Sequence, residues 1–176
     1  MIQIRQGVFE TNSSSTHAIS IGDTNYDKTF IPETIVFDDG MTFGWEFETY
    51  NDYVSKANYI WLTILGNNSD ISREDRLIEY KERIREILTN AGVKNVVFKE
   101  IPYIESSWSP GRWYLDFDGY IDHYPELSFV DDLLSEPELF LSFLFNPCSE
   151  IATGNDNDDR TPQFNEKAIA TYWKSN

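Results

Sequence analysis

Cysteine is almost missing from this sequence, because Cys148 is the only one. A single thiol excludes an internal disulfide, and no Cys/His pairing has the spacing of a zinc site. The first residues, Met1 to Arg5, also lack the long apolar stretch of a signal peptide. These absences predict a cytoplasmic protein in a reducing compartment. We expect Cys148 to be a small, buried or half-buried side chain rather than a nucleophile.

Long apolar runs are also absent, since no window reaches the roughly 18 residues of a membrane span. We therefore expect no association with a membrane. No GxGxxG motif follows a predicted strand, which removes the usual sign of a dinucleotide-binding fold.

Positive charge is scarce: 14 Lys and Arg face 30 Asp and Glu, for a net charge of −16. Phosphate backbones and anionic lipids repel such a chain, so we expect no direct nucleic acid binding. The balance suits a protein partner with a basic surface, a hard cation, or simply high solubility. Because 15% of the residues are aromatic, and disordered acidic chains are poor in aromatics, the charge belongs to a folded body.

Length and periodicity predict one α+β domain over 1–176, with an antiparallel or mixed sheet packed against three to four helices. Short alternating or β-branched runs indicate strands, mainly at Ala18–Ile21, Thr34–Phe37, Asn95–Ile101, Trp113–Leu115 and Glu150–Thr153. Apolar stripes at helical spacing predict helices at about 52–66, 72–91 and 128–145, and a short helix is expected in the tail near Ala168 to Trp173.

Capping residues sharpen the helix boundaries. Asn51 or Asp52 can cap the first helix, and Ser72 the second. Gly92 is placed to end the second helix in a left-handed conformation. Pro137 fits the first turn of a helix.

The most polar segment runs from Glu10 to His17 and contains three consecutive serines. If it is extended, Ser13, Ser15 and His17 share one face. A hydroxyl two residues from an imidazole is compatible with acyl or phosphoryl transfer, in which His17 is the general base and Glu10 or Asp122 orients it. The competing interpretation is a hydroxyl-rich crossover whose side chains satisfy its own backbone.

The same segment offers a ligand-binding alternative. Its hydroxyls and amides could hold a phosphate, with Arg5 supplying the charge and Asn12 a further contact. It contains no glycine and is therefore not a Walker-type loop.

A second cluster, from Asp116 to His123, ends in Asp122 and His123. Aspartate beside histidine can bind a metal, or one can orient the other for proton transfer. His17 and His123 are the only histidines, so a composite site requires the fold to bring them together. The alternative is a turn with a hydrogen-bonded histidine.

A third cluster, from Gly154 to Asp159, has oxygen ligands at alternate positions, as in a calcium loop. Arg160 stands where an EF-hand needs glycine, so we reject that motif and expect a surface turn. Asp156 remains a weak metal ligand beside Asp122 and His123. No cofactor is predicted, and a divalent cation is the one ligand left open.

The run from Arg5 to His17 resembles the opening signature, R-x-G-V-F-E-T-N-S-S-S-T/S-H, of a group of uncharacterised bacteriophage and prophage proteins. Three shorter runs resemble the group less specifically: Phe43–Glu46, Tyr120–His123 and Thr153–Asp156. The resemblance implies a phage origin and a role inside the infected host cell. It implies no reaction.

Three functions follow as hypotheses. The first is an anti-defence protein that binds a host protein, presenting carboxylates where a nucleic acid would present phosphates. The second is a small enzyme or a nucleotide- or phosphate-binding domain that uses the two histidine segments. The third is a minor component of the virion. Even scatter of the acids over the surface would remove the argument for the first.

Overall fold

The computed structural model describes residues 15–23, 27–28, 31–44, 46–123, 125–155 and 162–174. It is an α+β structure, as predicted. In these residues the strands are β1 (Ser15–Ile21), β2 (Thr34–Phe37), β3 (Thr42–Phe43), β4 (Thr49–Tyr50), β5 (Asn95–Phe98), β6 (Tyr103–Glu105), β7 (Trp113–Leu115), β8 (Tyr120–Ile121), β9 (Glu150–Asn155) and β10 (Ala170–Lys174). The α-helices are α1 (Tyr53–Asn67), α2 (Glu74–Asn90), α3 (Leu127–Ser135) and α4 (Pro137–Phe145).

The largest sheet is antiparallel and has the strand order β10-β1-β9-β4. Three two-stranded pairs surround it: β2 with β5 and β3 with β8, both parallel, and β6 with β7, antiparallel. The prediction of an antiparallel or mixed arrangement is therefore confirmed. β1 is buried along its whole length because it has a neighbour on each side and core packing on its faces.

Helix α1 is the centre of the core, and every residue from Ser55 to Leu65 is buried. It packs against β2, β8 and the other three helices. Asp52 caps it, as predicted: its carboxylate accepts a hydrogen bond from the Ser55 amide at 2.9 Å. Its buried positions include the polar residues Lys56, Asn58 and Thr63 as well as apolar ones, because neighbours cover the helix on several sides.

Local signals at two other helices are confirmed. Gly92 has φ +107° directly after α2, and Pro137 opens α4. Ser72 is not the cap of α2; Asp70 accepts the Ser72 amide and starts a short 3₁₀ turn, after which α2 begins at Glu74. Asp70 lies two residues before Ser72, and its carboxylate is a better hydrogen-bond acceptor than the serine hydroxyl, so Asp70 is the capping residue here.

The tail prediction was wrong, because 170–174 form strand β10 and not a helix. β10 pairs with β1 in the register that places Ile19 opposite Tyr172, and this pairing satisfies the backbone hydrogen-bonding groups of the tail. Cys148 was also misjudged, since it is exposed. Its amide donates to the Asn146 side chain at 2.8 Å in the tight turn after α4, and this turn directs Cys148 outward.

No helix in the described part of the chain combines the length and apolarity needed to cross a membrane.

Candidate functional site

The first two polar clusters meet where β1 begins and β8 ends. The Ser15 hydroxyl donates to the Asp122 carbonyl at 2.7 Å, across 107 residues of sequence. The Asp122 amide in turn donates to the Phe43 carbonyl at 2.8 Å, which ties the end of β8 to β3. The fold therefore places two of the candidate catalytic residues, Ser15 and Asp122, side by side.

His17 lies two residues further along β1, with none of its surface exposed. Its Nδ1 is 2.8 Å from the Tyr59 hydroxyl of α1. Tyr59 is itself fully buried, and this burial raises the pKa of its hydroxyl above the ordinary value. Phe43 packs edge-on against Tyr59 at 4.9 Å. His17 is thus part of the core, enclosed between the sheet and α1.

His123 is in a different environment, at the surface in the turn after β8. Its φ is +52°, a left-handed conformation that a side chain other than glycine seldom adopts. Nε2 is 3.8 Å from Asp122 Oδ1, which is an ion-pair distance only when the imidazole is protonated. One histidine is enclosed and the other faces solvent, so they do not offer a common accessible surface.

The remaining predicted residues, Arg5, Glu10, Asn12, Ser13 and Asp156, lie outside the described residues. Within the described ones, no group of three or more His, Cys, Asp or Glu side chains could hold a metal ion.

The second feature is a pair of long sequence stretches without bases. No Lys or Arg occurs from 31 to 55 or from 113 to 155. Pairing of β3 with β8 and of β4 with β9 joins these two stretches in space. The sequence carries this signal as the long gap between Arg112 and Arg160, which the whole-chain charge conceals.

Four carboxylates surround strand β4 at the edge of the large sheet: two precede β4, one follows it, and one begins the neighbouring strand β9. We call them the acidic edge: Glu46, Glu48, Asp52 and Glu150. Thr153 of β9 fixes two of them, since its hydroxyl and amide donate to the carbonyls of Glu46 at 2.6 Å and Glu48 at 2.9 Å.

The acidic edge changes the titration of its neighbour Tyr50. Burial, a hydrogen bond to the Glu48 carboxylate and the charges of Glu48 and Glu46 together raise the pKa of the Tyr50 hydroxyl above its ordinary value. Glu46, Glu48 and Asp52 are exposed and Glu150 is half-buried. The negative charge is therefore presented to solvent.

The largest group of bases lies on α2, which carries Arg76, Lys81, Arg83 and Arg85, and Lys94 and Lys99 flank β5. Several of them have partners nearby: Arg83 pairs with Glu86 at 2.7 Å, and Lys81 and Arg85 lie over the rings of Trp61 and Phe98. Helix α2 also carries five acids, so it is not a basic surface.

Lys99 closes a separate cluster with Asp38, Asp39 and Asp118. Burial alone would raise the pKa of the Asp39 carboxyl. Hydrogen bonds from the Lys99 ammonium and the Asp118 amide outweigh it and lower that pKa. The same carboxylates raise the pKa of Lys99. This ammonium fills the space between the three aspartates, so the cluster is a structural ion pair network.

A third feature is the Trp108 hairpin, residues 103–115, of which the sequence patterns predict only the strand Trp113–Leu115. β6 and β7 form its arms, and Trp108 at the tip is 94% exposed. The signal was a tryptophan between serines, ahead of the Pro110–Gly111 turn, with no apolar periodicity to bury it.

No known protein family, curated protein or solved structure matches the chain.

Proposed function

We propose that this chain is an acidic protein-binding domain whose acidic edge recognises a partner protein with a basic surface. In the phage setting that the resemblance implies, the partner is a host protein, and the domain inhibits a defence enzyme by occupying its nucleic acid groove. The observation that carries the proposal is the exposure of Glu46 and Glu48 next to β4, for which no ion pair with Lys or Arg is found among the described residues. Asp52 and Glu150, the other two members of the acidic edge, attract the buried Lys56 behind them.

The physical argument is electrostatic complementarity. Glu46 and Glu48 precede the edge strand β4 and Glu150 begins the adjacent strand β9, and neighbouring like charges make a field that is attractive to a row of cations. These carboxylates repel one another in the folded protein, and a basic partner would relieve that repulsion. A nucleic acid backbone offers the same partner a similar row of negative charge, so the two would compete.

The test removes charge without changing shape. The protein is immobilised, bacterial extract is passed over it at low and high salt, and the retained protein is identified and purified. The variant Glu46→Gln/Glu48→Gln/Glu150→Gln should bind that purified protein about tenfold more weakly, since each surface charge contributes roughly 0.5 kcal/mol. The wild type should also displace duplex DNA from it.

The matched control is Glu79→Gln/Glu82→Gln/Glu100→Gln, which removes the same charge among the bases of α2 and after β5. It should bind within about twofold of the wild type. Equal losses in both variants, or binding that ignores salt, would refute recognition by the acidic edge.

A second candidate function rests on the contact between Ser15 and Asp122, which joins the two histidine segments. It is binding or turnover of a phosphate compound beside His123. Inorganic phosphate and ATP would then raise the melting temperature of the wild type, and His123→Ala would lose that rise. Absence of any shift with the wild type would exclude these two ligands.

A further inference from the structure

Hydrogen bonds hold the backbone at the tip of the Trp108 hairpin, although the largest side chain there, Trp108, is exposed. The Ser106 hydroxyl accepts the amides of Trp108 at 3.3 Å and Ser109 at 3.1 Å, and the Glu105 carboxylate accepts the amide of Gly111 at 2.7 Å. Gly111 has φ +85°, which the turn requires. These bonds fix the backbone that carries the indole and give the indole itself nothing to pack against.

The base of the hairpin is attached to the core. Leu115 is buried, and its amide donates to the Ser69 carbonyl at 2.9 Å. The Asp116 amide donates to the Pro102 carbonyl at 2.9 Å. Hydrogen bonds at its base and its tip thus hold the backbone of the hairpin, which projects Trp108 into solvent.

Two further apolar side chains of the hairpin are partly exposed, Trp113 at 42% and Ile104 at 47%, and the register places them on opposite faces. An ordered loop that exposes a whole indole gains nothing in folding from that side chain. Buried tryptophans are, in contrast, prominent among the residues that dominate protein–protein binding energy, because a large rigid ring loses little entropy on binding. A protruding ring also needs a concave receptor.

Charge around the hairpin limits what the receptor can be. Glu105 lies opposite Trp113 in the hairpin, and Asp116 follows β7, and both are exposed. Arg112 is the basic residue of the loop, and the Asp70 carboxylate lies 3.9 Å from its guanidinium. Stacking on a nucleic acid base or insertion into an anionic bilayer would place these carboxylates against phosphates. A protein with cationic residues around an apolar pocket meets both the ring and the charges.

We infer that Trp108 is an anchor that inserts into an apolar pocket of a partner protein, with Lys or Arg at the rim of that pocket. The inference rests on the proposed function in assuming a basic protein partner, but it uses a different surface. The acidic edge lies at the N-terminal end of α1 and the hairpin at the C-terminal end, about 22 Å apart along the helix. The partner therefore contacts both ends, or this end alone.

The experiment places the photo-crosslinker p-benzoylphenylalanine at position 108, and, as control, at the exposed position of Ile169. Irradiation in bacterial extract should link position 108, and not 169, to one identified protein, at a residue inside an apolar pocket with a basic rim. Trp108→Ala should then weaken binding of that purified protein about thirtyfold, Trp108→Phe far less, and Ile169→Ala within about twofold. Because Trp108 is nearly free of intramolecular contact, Trp108→Ala should fold normally.

Four results would overturn the inference. Two concern the crosslink: its formation with a second copy of this chain together with a dimer in solution, or its formation with a polar surface. The third is a shift of tryptophan emission with phosphatidylglycerol vesicles or a (dT)20 oligonucleotide that Trp108→Ala abolishes, and the fourth is an unchanged affinity of Trp108→Ala. The two proposals fail separately. Loss of binding with Trp108→Ala and not with the acidic-edge variant would leave the anchor and remove the acidic edge, and the reverse result would do the opposite.

Discussion

Lys56 is the most constrained ionisable side chain in the core. It has no exposed surface, and its ammonium donates to the carbonyls of Asn146 at 3.0 Å and Ser149 at 3.1 Å. Burial lowers its pKa to about 8, against the opposing attraction of Asp52, Cys148 and Glu150. The lysine fastens the turn after α4 to α1, immediately behind the acidic edge.

The depressed pKa predicts how stability changes with pH. Between about 8, the folded value, and 10.5, the ordinary value, the folded state holds fewer protons than the unfolded state. The free energy of unfolding therefore rises with pH in this window, by about 2 kcal/mol from pH 7.5 to 9.5. Urea denaturation at these two pH values should show this rise in the wild type.

Lys56→Met should remove that rise, whatever its own stability, because the titrating group is gone. Lys94→Met, at an exposed lysine, is the control and should keep it. Parallel pH curves for the wild type and Lys56→Met would contradict the assignment.

At the scale of elements, the parallel pair of β3 and β8 is short, but it joins the two stretches of the chain that contain no bases. Its backbones approach closely next to Gly119, where an added Cβ would be 2.1 Å from the Met41 carbonyl oxygen and 2.2 Å from that of Asp39. Real Cβ atoms do not come so near to backbone atoms, so the two strands would have to move apart to admit one. Glycine is required here by the approach of another strand.

Gly119→Ala should therefore destabilise the fold by roughly 3 kcal/mol, through loss of the β3–β8 pairing. Gly40→Ala is the matched control, since the nearest atom to a Cβ there is 4.0 Å away. It should change the free energy of unfolding by less than about 1 kcal/mol. Similar urea midpoints for the two variants would show that the pairing tolerates separation.

At the scale of the whole molecule, the net charge is −16. Surplus like charges repel each other in the folded state more than in the expanded chain. Raising NaCl from 20 to 300 mM shortens the Debye length from roughly 20 Å to roughly 6 Å and screens this repulsion.

The melting temperature should therefore rise by a few degrees, about 3 °C or more, over this salt range. The rise should be smaller in the acidic-edge variant Glu46→Gln/Glu48→Gln/Glu150→Gln, because less repulsion remains to be screened. Differential scanning calorimetry measures both. A melting temperature that falls with salt would mean that ion pairs such as Lys99 with its aspartates outweigh the repulsion.

Signals that act between near neighbours were readable in advance. The Asp52 cap, the Gly92 terminus and Pro137 at the start of α4 each depend on atoms within a turn of the residue concerned, so the sequence by itself determined them. The α+β class follows from the same local periodicities.

Contacts between distant segments were decided by the tertiary structure alone. The tail became a strand because β1 offered it an open edge, and Ser15 meets Asp122 because β8 ends beside β1. The burial of His17, the exposure of Trp108 and the gathering of carboxylates around β4 depend likewise on which elements cover which. Local sequence carries no information on that covering, since the energies that decide it arise between residues far apart in the chain.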